Sequence, residues 1–166
     1  MKKKQLKVLL FIVIIIMIIF NLLFFYFFGL DSVNSESDKE LEEFSLVTRI
    51  VDGDTIKISN GKTIRLICVD TPEFGERGYN KATLYLESLI LYKKVRLEKD
   101  ISEVDLYNRT LRYVYLKDLF INKEIVEKGF ARAYPIPPNT ELCPEILEAE
   151  KVAKSAQLGL WSGEYD

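Results

Sequence analysis

Residues 44–73 read FSLVTRIVDGDTIKISNGKTIRLICVDTPE, and the organisation of the chain follows from where this stretch turns. FSLVTRIV (44–51), TIKIS (55–59) and KTIRLICV (62–69) are three short runs rich in Val, Ile and Thr, the composition of strands. Asn60-Gly61, the strongest two-residue hairpin signal, separates the second run from the third, and Asp52-Gly53 turns the first into the second. Three strands this closely spaced predict a tight antiparallel meander. The third run is the odd one. Its apolar centre, Leu66-Ile67-Cys68-Val69, opens on Arg65 and closes on Asp70, Thr71 and Glu73.

Downstream, NKATLYLESLILY (80–92) carries Leu84, Leu86, Leu89, Ile90 and Leu91 on an uneven helical stripe. KVRLEKD (94–100) and TLRYVYL (110–116) alternate as half-buried strands. LFINKEIVEKG (119–129) predicts a helix capped by Gly129, FARAY (130–134) an extended piece, and PIPPN (135–139) a stiff loop. PEILEAEKVAKSAQLG (144–159) predicts a helix opened by Pro144 and closed by Gly159, with Glu150–Lys154 as a solvated pair. Five short antiparallel strands with an inserted and a terminal helix predict an α+β domain built on a small closed barrel.

The N-terminus is of another kind. Lys2, Lys3, Lys4 and Lys7 precede 23 uncharged residues, 8–30. As a helix that run is about 35 Å long, enough to cross a hydrocarbon core of roughly 30 Å. It exceeds the apolar core of a signal peptide and ends without a small-residue cleavage site, so a retained anchor (1–30) is expected, with secretion after cleavage as the alternative. The lysine bias keeps the N-terminus cytoplasmic and exports the rest. Residues 31–44, acidic and without apolar period, predict a flexible tether, the alternative being a frayed extension of the membrane helix. Residues 45–166 are the folded domain, long enough to bury a core unaided.

Composition removes several chemistries. The chain has no histidine, which excludes Ser–His and Cys–His nucleophile systems and histidine-ligated zinc. Cys68 and Cys143 form no C-x-x-C motif, and pair either as an extracytoplasmic disulfide or as buried thiols. Acids and bases of the domain all but cancel, so a bound polyanion must be held by a few placed cations or a metal rather than by a broad positive field.

Three places carry polar groups that a barrel does not need: VDGDT (51–55), RLICVDTPE (65–73) and DLYNR (105–109). Taken singly, each reads as ordinary turn chemistry or a surface arginine. Together they suit one reaction. Asp54 and Asp70, at strand ends, offer oxygens to a hard cation. Arg65 and Arg109 can neutralise charge on a phosphodiester, and Glu73 is left to take a proton from water. Ideal alternation puts Arg65 and Asp70 on opposite faces, so a twist or bend is required between them.

VDGDT, RLICVDTPE, DLYNR ahead of a strand, and a helix ending in GLW together resemble the staphylococcal nuclease (thermonuclease) family, in order, across residues 45–162. The resemblance implies a five-stranded OB barrel with three helices. It implies Asp54, Asp70 and the Thr71 carbonyl as Ca2+ ligands, Arg65 and Arg109 as phosphate-binding catalytic arginines, and Glu73 as the general base. It implies hydrolysis of DNA and RNA at the 5′-oxygen–phosphorus bond to leave 3′-phosphates. Tyr107 and Tyr134 fall where such proteins stack aromatics on a nucleotide; half-buried packing is the alternative for both. A monomer acting on single-stranded substrate is expected. Leu106 and Asn108 depart from the family's lysine and glycine around this arginine, the loop FGERGYN (74–80) is shorter and less basic, and Pro135, Pro137 and Pro138 stiffen the segment after Tyr134. Two rivals are a non-catalytic OB module for nucleic acid or protein, and a structural calcium site of Asp52, Asp54 and Asp70. The first is disfavoured because all six matched residues are present, the second because it leaves both arginines without a purpose.

Overall fold

The computed structural model describes residues 13–24 and 43–163, and the chain divides into two units, 1–41 and 42–166. In the first, residues 13–24 are helical, with Ile16, Met17, Phe20 and Leu22 exposed. Among the described residues no helix is long and apolar enough to cross a membrane. The remainder of the expected span, 8–12 and 25–30, and residues 31–42 of the expected tether lie outside the described residues.

The second unit contains β1 (Glu43–Ile50), β2 (Thr55–Ile58), β3 (Thr63–Leu66), β4 (Val69–Asp70), α1 (Tyr79–Ile90), β5 (Lys94–Glu98), β6 (Thr110–Leu116), β7 (Leu119–Phe120), α2 (Ile121–Glu127), β8 (Arg132–Ala133), α3 (Cys143–Ser155) and a 3-10 turn, Gly159–Trp161. The strands run β3-β2-β1-β5-β6, and β3 also pairs with β6 in parallel, which closes a five-stranded barrel. Closure removes the free sheet edges. β1 serves two neighbours: Glu43–Leu46 pair with β5, Val47–Ile50 with β2, and a register shift between Val47 and Arg49 bends the strand from one to the other. The predicted tether therefore ends earlier than residue 44, because Glu43 and Phe44 already pair with Leu97 and Arg96. Period-two alternation points Ile56, Ile58, Ile64, Leu66, Val95 and Leu97 inward, where all are buried.

Several predicted elements shift. In α1 the buried residues are Ala82, Leu86 and Ile90, four apart, whereas Leu84 of the predicted stripe faces solvent. Leu119 and Phe120 pair with β6 instead of opening a helix, so α2 begins at Ile121. α3 stops at Ser155, four residues before the predicted end, because Gln157 takes a left-handed φ of 54°. The true reason for Gly159 is close approach: its backbone meets that of Gly129 with no room for a Cβ on either, and Leu160 N–H donates to the Gly129 carbonyl at 2.8 Å. Cys68 and Cys143 are joined as a disulfide, with Cα atoms 5.7 Å apart across 75 residues of sequence.

Candidate active site

The predicted strand 62–69 is broken in two. β3 ends at Leu66, Cys68 adopts a left-handed φ of 59°, and β4 restarts at Val69 in a different ribbon, antiparallel to β8. This break supplies the bend that alternation requires. It swings Val69 and Asp70 back over Arg65, whose Nη1 donates to the carbonyls of Leu66 (2.9 Å) and Val69 (2.5 Å). Nη2 of the same guanidinium lies 3.0 Å from Asp54 Oδ2 and 3.8 Å from Asp70 Oδ1. Asp54 is brought in by the β2–β3 register, which sets Thr55 opposite Arg65.

Asp54 is the buried centre of this corner. Its Oδ2 accepts from the Thr71 amide and hydroxyl, both at 3.1 Å, as well as from Arg65, and its Oδ1 accepts from the Thr55 hydroxyl at 2.9 Å. The Asp54 amide in turn donates to Asp52 Oδ1 at 3.1 Å. Burial pushes the Asp54 carboxyl up to about 6, against the pull of Arg65 and with a further push from Asp52. One guanidinium thus falls short of offsetting the desolvation of this carboxylate. Asp70 is more open, with 39% of its side chain exposed.

Arg109 belongs to a different construction. The segment 105–109 closes on itself: Asp105 Oδ1 accepts from the amides of Tyr107 and Arg109, both at 2.9 Å, and Oδ2 accepts from Arg109 Nε at 2.7 Å. Burial raises the Asp105 pKa, but these bonds outweigh it and hold the carboxyl below its ordinary value. Asn108, at φ 60°, fills the left-handed position of the turn, which explains why Asn can stand where a glycine is expected. The parallel β3–β6 ladder sets Ile64 opposite Thr110 and Arg65 opposite Leu111, so the chain enters β6 from the Arg109 turn beside the strand that carries Arg65.

Glu73 is exposed just beyond Pro72, and its amide donates to Glu76 Oε2 at 2.9 Å. The structure thus gathers Asp54, Asp70, Thr71 and Arg65, holds Arg109 in its own turn ahead of the neighbouring strand, and leaves Glu73 outside the buried cluster. Tyr107 is 81% exposed beside the Arg109 guanidinium, and Tyr134 is 54% exposed, so neither is packed into the core. Their rings are available to a planar partner.

Four residues that matter here escape a reading of the sequence. Asn122, fully buried on α2, donates to the Ile67 carbonyl at 2.9 Å and accepts from the Val114 amide at 2.8 Å, pinning the broken strand. Its signal is an asparagine inside the apolar run LFINKEIV, which alternation alone cannot interpret. Gly53 has no room for a side chain: a Cβ there would stand 2.7 Å from Thr71 Cγ2 and 2.8 Å from Ala82 Cβ. Thr55 orients Asp54 by its hydroxyl. Glu150 is not the solvated partner expected of it, since its Oε1 accepts from the Ala133 amide at 3.2 Å and ties β8 to α3 while Oε2 meets Lys154.

The donor set suits a hard divalent cation. Asp54 and Asp70 both point at one cationic nitrogen, and Thr71 is fixed beside them by its amide and hydroxyl bonds to Asp54. Among the described residues, no cluster of three or more Asp, Glu, His or Cys could hold a metal by side chains alone. An ion bound here would therefore draw its remaining ligands from water and substrate.

Comparison with known proteins agrees with the geometry. The family model described as staphylococcal nuclease homologue matches residues 63–163, the part of the chain that holds Arg65, Asp70, Thr71, Glu73 and Arg109. A thermonuclease of Staphylococcus intermedius is 39% identical over 128 residues, spanning 72% of this chain and 76% of that protein. A thermonuclease of Staphylococcus hyicus is 36% identical over 143 residues, 81% of this chain and 80% of its own length. The SPbeta prophage-derived endonuclease YokF of Bacillus subtilis (strain 168) is 35% identical over 139 residues, 75% of this chain but 45% of its own length. With an OB-type barrel, the ordered motifs and these relatives in agreement, the chain belongs to the staphylococcal nuclease family.

Proposed function

We propose that this chain is a metal-dependent nuclease, with calcium as the metal, that hydrolyses DNA and RNA at the 5′-oxygen–phosphorus bond and leaves 3′-phosphate ends. The observation that carries the reading is the convergence of Asp54 and Asp70 on the Arg65 guanidinium across a broken strand. A barrel has no structural need for such a corner, and burying it costs free energy that a purely structural protein would avoid. The names of the relatives, thermonuclease and endonuclease, support the same activity.

Asp54, Asp70 and the Thr71 carbonyl would hold the ion, which supplies polarisation of the phosphate and positions it. Arg65 and Arg109 offset the negative charge that builds on the phosphorus oxygens during in-line attack by water. Glu73, exposed to solvent, accepts the proton that the water loses. Tyr107 and Tyr134 offer faces to the flanking bases, which favours a single strand over a stacked duplex. The chain acts as a monomer outside the cytoplasm, anchored by residues 8–30 with a cytoplasmic N-terminus, or secreted if that segment is cut. The lysines ahead of the apolar run and the Cys68–Cys143 disulfide support an oxidising, extracytoplasmic setting.

The test is incubation of the full-length protein, in detergent, with single-stranded DNA and with RNA. Cleavage that EDTA abolishes and calcium restores, with 3′-phosphate product ends, is expected. Tight binding without cleavage under every metal condition would leave only the alternative, a non-catalytic OB module.

A further inference from the structure

We infer that the Cys68–Cys143 disulfide is a positioning device for the Asp54–Arg65–Asp70 corner, and that its cysteines are positioning residues for the reaction. The inference rests on the function proposed above, but its physical core is local geometry. Cys68 is the pivot of the break: it stands between Leu66 and Val69, the two residues whose carbonyls orient Arg65 Nη1, and two residues before Asp70. It holds a left-handed φ of 59°, which an L-residue with a Cβ adopts at a cost and leaves when unconstrained. Its one covalent restraint comes from far away. Cys143 is the first residue of α3, and the bond ties the pivot to that helix across 75 positions.

The same helix grips the far strand of the ribbon, where Glu150 accepts from the Ala133 amide. Ala133 faces Val69, and the Tyr134 amide donates to the Cys68 carbonyl at 3.0 Å. α3 therefore holds the β4–β8 ribbon at two points, one covalent and one by hydrogen bond. Opening the disulfide removes the covalent restraint on the pivot, leaves it only its hydrogen bonds, and keeps the barrel closed. Ile67 stays pinned by Asn122 and by its amide to the Arg112 carbonyl at 3.1 Å, and no cysteine lies in the β2, β3, β5 or β6 strand pairing. Rotation at residue 68 directly turns the Val69 carbonyl away from Arg65 and moves Asp70 with it. The disulfide thus acts on the geometry of the corner more than on the fold.

The experiment compares the full-length oxidised protein with the same protein reduced by dithiothreitol, and then reoxidised. Three readouts are followed: circular dichroism for the fold, the hydrogen-bonded Nη–H signals of Arg65 by NMR, and kcat and KM on single-stranded DNA with calcium. Reduction is expected to keep the circular dichroism spectrum, abolish the ordered Arg65 signals, and lower kcat about tenfold to hundredfold, the scale set by small displacements of reacting groups. Reoxidation restores both. A second comparison separates positioning from stapling. At matched fraction folded, Cys68→Gly/Cys143→Ala keeps more kcat than Cys68→Val/Cys143→Ala, because glycine tolerates the left-handed turn and a β-branched residue resists it. Reduced, folded protein with unchanged Arg65 signals and kcat within twofold of the oxidised form would overturn the inference. So would equal kcat in the two double variants, which decides the matter if reduction unfolds the chain. Absence of hydrolysis in the oxidised protein would instead fail the nuclease reading, and the Arg65 signals would still judge the positioning role.

Discussion

Two arginines serve one proposed phosphate, and the molecule builds their sites in opposite ways. Arg65 is held by residues from three segments: Asp54 before it, the Leu66 and Val69 carbonyls around the strand break, and Asp70 beyond it. Its side chain is 14% exposed and that of Asp54 is 8% exposed. Arg109 is held by Asp105, four positions earlier, with the Tyr107 ring beside it, in a loop whose tip, Leu106 and Tyr107, lies in solvent. The first site exists only when the barrel is closed, whereas the second nearly assembles itself. The difference teaches that preorganisation and stability are entangled at Arg65 and separable at Arg109.

The sharpest way to break this comparison is to delete each guanidinium. Arg65→Ala should lower hydrolysis by about 10³-fold, on the scale of losing donors to a developing anion, and should also destabilise the fold by about 3–5 kcal/mol by stranding the buried Asp54 carboxylate. Arg109→Ala should lower hydrolysis by a similar order yet move stability by less than about 1 kcal/mol, as befits a partly exposed pair. Urea denaturation beside initial rates distinguishes them. Equal stability losses would mean that the two sites are built alike. Glu73→Ala should behave like Arg109→Ala, with activity lost and the urea midpoint unmoved, since its side chain is exposed.

Gly53→Ala probes the buried site without touching a charge. Its added methyl would overlap the side chains of Thr71 and Ala82, and a destabilisation of about 1–3 kcal/mol is expected from such overpacking. A calorimetric melting temperature equal to wild type would show that Thr71 and α1 have room to yield. Acid should sharpen the contrast. Burial raises Asp54 to about 6, so its contribution to stability is full below its ordinary pKa and fades as pH rises through 6. Asp105 is held below its ordinary value, so its contribution is present at neutral pH and disappears as pH falls through its folded-state pKa. In metal-free buffer, the stability difference between wild type and Asp54→Asn should shrink as pH rises from 4 to 6, whereas that for Asp105→Asn should shrink as the solution is acidified. Differences that move together would contradict the opposite constructions. The smallest expected effect is Tyr107→Ala, which should raise KM by several-fold and leave kcat intact, in keeping with a stacking contribution of about 1–3 kcal/mol per base at most.

Much of this was legible in residues 44–73 and 105–109. Turn chemistry at Asn60-Gly61 and Asp52-Gly53 set the meander, because a hairpin turn depends on local φ preferences. The identity of the polar residues was legible too, since Asp54, Arg65, Asp70 and Arg109 stand out against an apolar alternation. Period-two reasoning required a bend between Arg65 and Asp70 but could not place it at Cys68. It assumes one continuous strand, and the run Leu66 to Val69 is apolar throughout, so nothing local marks the break. The left-handed turn there is fixed by Asn122, the β8 ribbon and a cysteine 75 residues away, none of which a local window contains. The same blindness hid Glu150, whose i, i+4 lysine accounts for it locally while its other oxygen serves β8.

Local sequence was enough to give the three-strand meander with its turns, and the set of groups available for chemistry once histidine is absent. These depend on short-range sterics and hydrogen bonds, which act within a few residues. Which carboxylates share a guanidinium, the burial that raises Asp54 to about 6, and the turn at Cys68 that brings the chain back over Arg65 all come from the folded chain. Those outcomes depend on desolvation and on contacts between segments far apart in sequence. Such contacts come into being only when the parallel β3–β6 pairing closes the barrel.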